Sequence, residues 1–237
     1  MYNKSAPAPP TCVSAVGRRC HGWSGGGGAR PGYLHRRWPE YENPRTANFS
    51  RCFAALRQLR QIRQLVPPTT FQTLVVVLVL SRLDYGNDVL VGLPAHLVRR
   101  LQSVLNASAR LIHHLRRSDH ITDALVSLHW LRVPERIQYK IAVLTFKVLR
   151  GTAPRYLGPL VRVSDLPGRR ALRSASTSRL VVPPFKLSTI GSRTFKVAAA
   201  RTWNDLPEDV TSSPTLPVFC NRLKTHLFRQ SYPDIVM

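Results

Sequence analysis

The stretch PAHLVRRLQSVLNASARLIHHL, from Pro94 to Leu115, decides the fold. Leu97, Leu101, Val104, Ser108, Leu111 and Leu115 recur at spacings of three and four, the period of one helix face turned to a core. Arg99, Arg100 and Arg110 fall off that stripe, and Arg116 and Arg117 follow it. Pro94 suits the first position of a helix, where its missing N–H costs nothing. The same period continues on both sides. Phe49, Phe53, Leu56, Leu59, Ile62 and Leu65 predict a helix with Arg57, Arg60 and Gln64 opposite, stopped by Pro67-Pro68. A second helix is predicted from Thr69 to about Leu83, with Phe71, Leu74, Val75, Leu78 and Val79 inside. Its valine run also suits a buried strand, but its length and the preceding proline favour helix. Asp119 reads as the N-cap of a short helix ending near Leu128. Pro134 opens a further helix with Ile137, Ile141, Leu144 and Val148 as its stripe, closed by Gly151. Five helices with short connections predict a helical bundle over residues 49–151.

On either side of the bundle the texture changes. Residues 1–48 hold Pro7, Pro9, Pro10, the run Gly25 to Gly28, Pro31, Pro39 and Pro44 without periodicity, and read as a disordered basic leader. Residues 152–237 are a loop-rich region with two helices. One, from about Ser192 to Asn204, buries Phe195, Ala199 and Trp203; the other, from about Pro217 to Arg229, buries Phe219, Leu223 and Leu227. Leu180-Val181-Val182 before Pro183-Pro184 is a short strand candidate. The expected class is mainly α, with at most a short β element.

Charge narrows the function classes. Thirty-five Lys and Arg face 12 Asp and Glu, a net charge of +23, and 43% of the 237 residues are hydrophobic. Such a chain has material for a core and attracts polyanions, nucleic acid or an anionic membrane face. The excess is spread along it: residues 49–150 carry 15 basic and 5 acidic side chains, and residues 151–237 carry 13 and 5. The longest apolar run, Leu74 to Leu80, is far short of the roughly 20 residues of a membrane span. Residues 1–30 lack the apolar stretch of a signal peptide. Cys12, Cys20, Cys52 and Cys220 match neither a disulfide framework nor a zinc spacing. An intracellular protein is expected, in nucleus or cytoplasm, with no membrane partner.

Catalytic constellations are weak. Asp84 and Asp88 bracket Tyr85-Gly86-Asn87 and suit a turn better than a metal pair. Asp205, Glu208 and Asp209 surround Pro207 and lack a paired base. His113, His114, His120 and His129 include no i, i+4 pair. Gly25 to Gly28 is not followed by the Lys and Ser or Thr of a phosphate loop, and no nucleophile elbow occurs. No cofactor, metal or catalytic residue is expected. The basic residues are the positive signal. Arg57, Arg60, Arg99, Arg100, Arg110, Arg116, Arg117, Arg169, Arg170, Arg173 and Arg179 are the candidate contacts to phosphates, whose binding releases counterions and is salt-sensitive.

One ordered series of motifs resembles a known family. It runs Ser81-Arg82-Leu83-Asp84-Tyr85-Gly86-Asn87, Gly92-Leu93-Pro94, Leu101-Gln102-Ser103-Val104-Leu105-Asn106-Ala107, Asp119-His120-Ile121-Thr122, Leu128-His129-Trp130-Leu131-Arg132-Val133, and Arg136-Ile137 with Lys140. Tyr156-Leu157, Leu172-Arg173-Ser174, Ala198-Ala199-Ala200-Arg201-Thr202-Trp203-Asn204-Asp205-Leu206-Pro207 and Phe219 with Leu223-Lys224-Thr225-His226-Leu227-Phe228 complete it. From about Phe49 to Tyr232 the chain resembles the C-terminal part of the reverse-transcriptase polyprotein of jockey-like LINE (non-LTR) retrotransposons. Gly86 stands where that family commonly has Cys, and Arg132 where it has Pro.

The resemblance implies the thumb and downstream region of an RNA-directed DNA polymerase, gripping RNA, DNA or an RNA–DNA duplex. The aromatic-Ala-Asp-Asp motif of the palm does not occur in this sequence, so no catalytic role carries over, and the chain alone is expected not to be an enzyme. It also implies that the Leu74–Leu80 face, without a palm against it, could self-associate. Two other readings stand beside a nucleic-acid-binding remnant: a non-functional relic or truncated gene model, and a helical interaction or assembly module.

Overall fold

A computed structural model describes residues 44–85, 91–166, 178–187 and 191–234, with side chains from Phe49 onward. The expected leader, residues 1–48, falls outside them apart from the start of the first helix. The described residues belong to one compact unit, Tyr41–Met237. They are mainly helical, and β structure among them is limited to one antiparallel bridge between Arg162 and Leu180.

Helix α1 spans Pro44–Ile62 and runs on into a 3-10 turn, Arg63–Leu65. Its buried positions are Phe49, Cys52, Ala55, Leu56 and Leu59. Three residues expected inside are not: Phe53 and Ile62 are each 38% exposed and Leu65 is 82% exposed. Cys52 and Ala55 occupy the face instead. Burial raises the Cys52 thiol pKa, against the opposing pull of Arg82.

The second predicted helix is continuous but composite. Helix α2, Pro68–Val75, passes into one π-helical stretch, Val76–Leu80, and then into α3, Ser81–Asp84. The wider π turn shifts the register, so the buried set is Phe71, Val75, Val79, Leu80 and Leu83. Leu78, expected inside, is 38% exposed. The Ser81 hydroxyl donates back to the Val77 carbonyl within this stretch.

Helix α4, Ala95–His113, follows Pro94 as expected and buries Leu101, Val104, Leu105, Ser108 and Ala109. It ends at His114, which takes the left-handed conformation at φ 59°. Helix α5, Thr122–Ser127, starts later than expected. Asp119 does not cap it; its carboxylate accepts the Arg116 backbone N–H at 2.7 Å in the preceding turn. Helix α6, Val133–Leu149, has Pro134 in its first turn. Its end is a Schellman closure: Gly151, at φ 69°, donates to the Val148 carbonyl, and Thr152 donates to that of Lys147.

Beyond α6 come α7, Phe195–Asn204, α8, Glu208–Thr211, and α9, Leu216–Ser231. Both α7 and α9 pack on α6. Phe219 of α9 is fully buried, with ring centroids 4.5 Å from Phe146 of α6 and 5.7 Å from Trp203 of α7. Burying one such ring stabilises by about 2–3 kcal/mol. The described parts of 49–151 and 152–237 thus share one hydrophobic core, with α6 between them.

Candidate nucleic-acid interface

Helices α1 and α4 pack together, and their exposed flanks carry four of the predicted arginines. Arg57 and Arg60 of α1 and Arg99 and Arg100 of α4 are all exposed. Arg100 reaches the junction, its guanidinium 4.9 Å from the centre of the Phe49 ring. Such stacking holds the planar cation in place while leaving its edge for acceptors. Arg63, which is not among the arginines expected from the sequence, extends the group. Burial, and after it the charge of Arg60, lowers its pKa. Its Nε and Nη2 are buried without a hydrogen-bond partner. The signal for it was present, since it lies three residues after Arg60 at the helix end.

The other predicted cations divide. Arg110 is half-buried, and its Nη2 donates to the Asp119 carbonyl at 3.5 Å, so it braces the turn after α4. Arg116 and Arg117 are exposed in that turn. Arg179 is exposed beside the β bridge, where its carbonyl accepts the Val163 N–H at 2.9 Å. Arg169, Arg170 and Arg173 lie outside the described residues.

Several motif residues of the resemblance sit at contacts between segments distant in sequence. Asp84 binds Arg136 through both carboxylate oxygens, with Nε to Oδ1 at 3.0 Å and Nη2 to Oδ2. Lys140 Nζ donates to the Asp84 carbonyl at 2.9 Å. Gln102 of α4 accepts the Val133 N–H at 2.9 Å, satisfying an orphan donor at the start of α6. Tyr232 donates its hydroxyl to the Trp130 carbonyl at 2.7 Å. Asn204 brackets Leu180, accepting its N–H at 2.8 Å and donating to its carbonyl at 2.9 Å, while Trp203 Nε1 donates to the Ser178 carbonyl at 2.9 Å. The strand candidate Leu180–Val182 is therefore anchored by α7 as well as by its bridge.

Asp84 is occupied by Arg136, and Asp88 lies outside the described residues. Glu208 and Asp209 form the exposed first turn of α8. Among the described residues, no three His, Cys, Asp or Glu side chains gather to hold a metal ion. No described helix is long and apolar enough to cross a membrane.

A second basic feature borders α6. A groove of about 890 Å³ runs between the Val76–Leu80 stretch and α6, with Lys140, Lys147 and Lys224 among its lining residues. None of the three is among the phosphate contacts expected from the sequence. Tyr139 also lines it, half-buried; burial first, then its hydrogen bond to Cys220, pushes its hydroxyl pKa up to about 12. A comparison with known proteins finds no matching family model, no matching curated protein and no matching solved structure.

Proposed function

We propose that this chain is a non-catalytic nucleic-acid-binding region of a LINE-type reverse transcriptase, equivalent to the thumb and the segment after it. The observation that carries the binding role is the set of exposed arginines on the α1–α4 pair, with Arg63 beside them. Two neighbouring helices presenting guanidinium groups suit the phosphates of a duplex, each neutralised phosphate releasing counterions. The net charge of +23 supports the same partner class. The origin rests on the ordered motif series. Several of its residues join helices and loops here.

The polymerase chemistry of such an enzyme belongs to paired palm aspartates that this sequence does not contain. Purified chain should therefore hold an RNA–DNA duplex in a salt-sensitive way and should extend no primer on a template with magnesium. Templated DNA synthesis by the chain alone would sink the non-catalytic reading. Absent or salt-independent binding would sink the nucleic-acid reading.

A further inference from the structure

The groove beside α6 has a chemistry different from that of the arginine surface. Its floor includes Val76, Val77, Val143 and Leu144. Val76 and Val77 are 38% and 57% exposed, and Leu78 next to them is 38% exposed. A helix seldom turns three successive large apolar side chains to water. The π-helical register does so here, and an apolar surface of this kind beside a groove marks an interaction site.

Charge identifies the occupant. Four cations, Arg136, Lys140, Lys147 and Lys224, and one carboxylate, Asp84, are among the lining residues. Asp84 is paired with Arg136, so the lysines dominate the field. Neither Lys147 nor Lys224 makes an ion pair with a described residue. Lys140 and Lys147 lie on one face of α6, two turns or about 10 Å apart along its axis. We propose that the groove docks an acidic amphipathic helix of a partner protein. Apolar side chains of that helix would cover Val76 and Val77, and carboxylates two turns apart would meet the lysines.

The floor is aliphatic, which disfavours nucleic acid. Of the rings that line it, Trp130 is buried, Tyr139 is half-buried, and the exposed His129 already has one face toward Phe228, at 6.1 Å between ring centres, so the groove offers no stacking platform of successive open rings. Phosphates laid over valines would lose water without replacement hydrogen bonds. A second copy of this chain is disfavoured by its own charge of +23. This inference does not depend on the proposed origin of the chain.

The test uses the full chain and a fluorescently labelled designed peptide of about 18 residues, long enough for several turns. The peptide carries Leu at i, i+3, i+4 and i+7 with Glu on the flanks. Fluorescence anisotropy should show micromolar binding, and a version with Lys for Glu should not bind. Val77→Asp, a surface change that should leave the thermal melt unaltered, should weaken binding at least tenfold. Lys147→Glu with Lys224→Glu should do the same and flatten the salt dependence. An RNA–DNA duplex added as competitor should leave the peptide bound. Failure of the acidic peptide to bind would overturn the proposal. So would duplex competition with binding insensitive to Val77→Asp, which would assign the groove to nucleic acid. A sedimenting dimer dispersed by Val77→Asp, without peptide binding, would assign it to self-association and overturn it equally.

Discussion

Replacing Asn204 by alanine should loosen the segment around Leu180. Leu180 is 2% exposed, and both of its backbone polar groups are bonded to the Asn204 side chain, at 2.8 and 2.9 Å. The substitution removes two hydrogen bonds, each worth about 0.5–1.5 kcal/mol net, and strands a buried donor and acceptor at about 1–3 kcal/mol where water does not reach. The Val163 N–H still donates to the Arg179 carbonyl and the Val181 N–H to that of Val161, so the loss should stay local rather than unfold the chain. A total of about 2–6 kcal/mol is expected, lowering Tm by roughly 4–24 °C for a domain of this size. Urea unfolding followed by circular dichroism measures the free energy, and amide hydrogen exchange at Leu180 locates it. Asn221→Ala, at an exposed position on α9, is the control and should change stability by less than about 0.5 kcal/mol. If Asn204→Ala costs no more than the control, the motif's architectural role is refuted.

Three further outcomes follow from named contacts. Asp84→Ala and Arg136→Ala should be non-additive by about 1 kcal/mol in a double-mutant cycle, since the pair is bidentate but only part-buried; additivity would mean the ion pair contributes nothing. Gly151→Ala should destabilise by about 1 kcal/mol through its positive φ alone, because no atom lies within 4 Å of the added methyl; equal or greater stability in urea would contradict the Schellman assignment. The folded state favours neutral Tyr139, so it binds more protons than the unfolded state between pH 10 and about 12. That contribution is full below pH 10 and is lost as pH rises through about 12. Tyr139→Phe should delete one late-titrating tyrosine from the ultraviolet absorbance titration, and an unchanged curve would refute the assignment.

Helix positions were legible because apolar spacing and proline placement are local. Pro94, Pro134 and Gly151 mark boundaries that the structure keeps to within a residue or two. Facing was less legible. The π turn at Val76–Leu80 changes register without any local marker such as proline, so Leu78 was misassigned to the core. Asp119 resembles a cap by residue type, yet the chain turns before α5 begins and uses the carboxylate there. The arginine flanks of α1 and α4 were visible as positions off an apolar stripe. Arg110 looked the same in sequence, because its contact to the Asp119 carbonyl depends on how the chain turns back. The lysine groove was invisible for a related reason: Lys224 comes from α9, which only tertiary packing places near Lys140 and Lys147.

The central claim is a salt-sensitive grip on nucleic acid by the α1–α4 arginines, and one titration series tests it most directly. Binding of an RNA–DNA duplex is measured by anisotropy across salt concentrations, for the native chain and for a variant with Arg57, Arg60, Arg99 and Arg100 changed to Gln. The account predicts that log K falls linearly with log salt for the native chain, and that the variant binds more weakly with a shallower slope. Equal affinity and slope for the two proteins, or no binding by either, would contradict it.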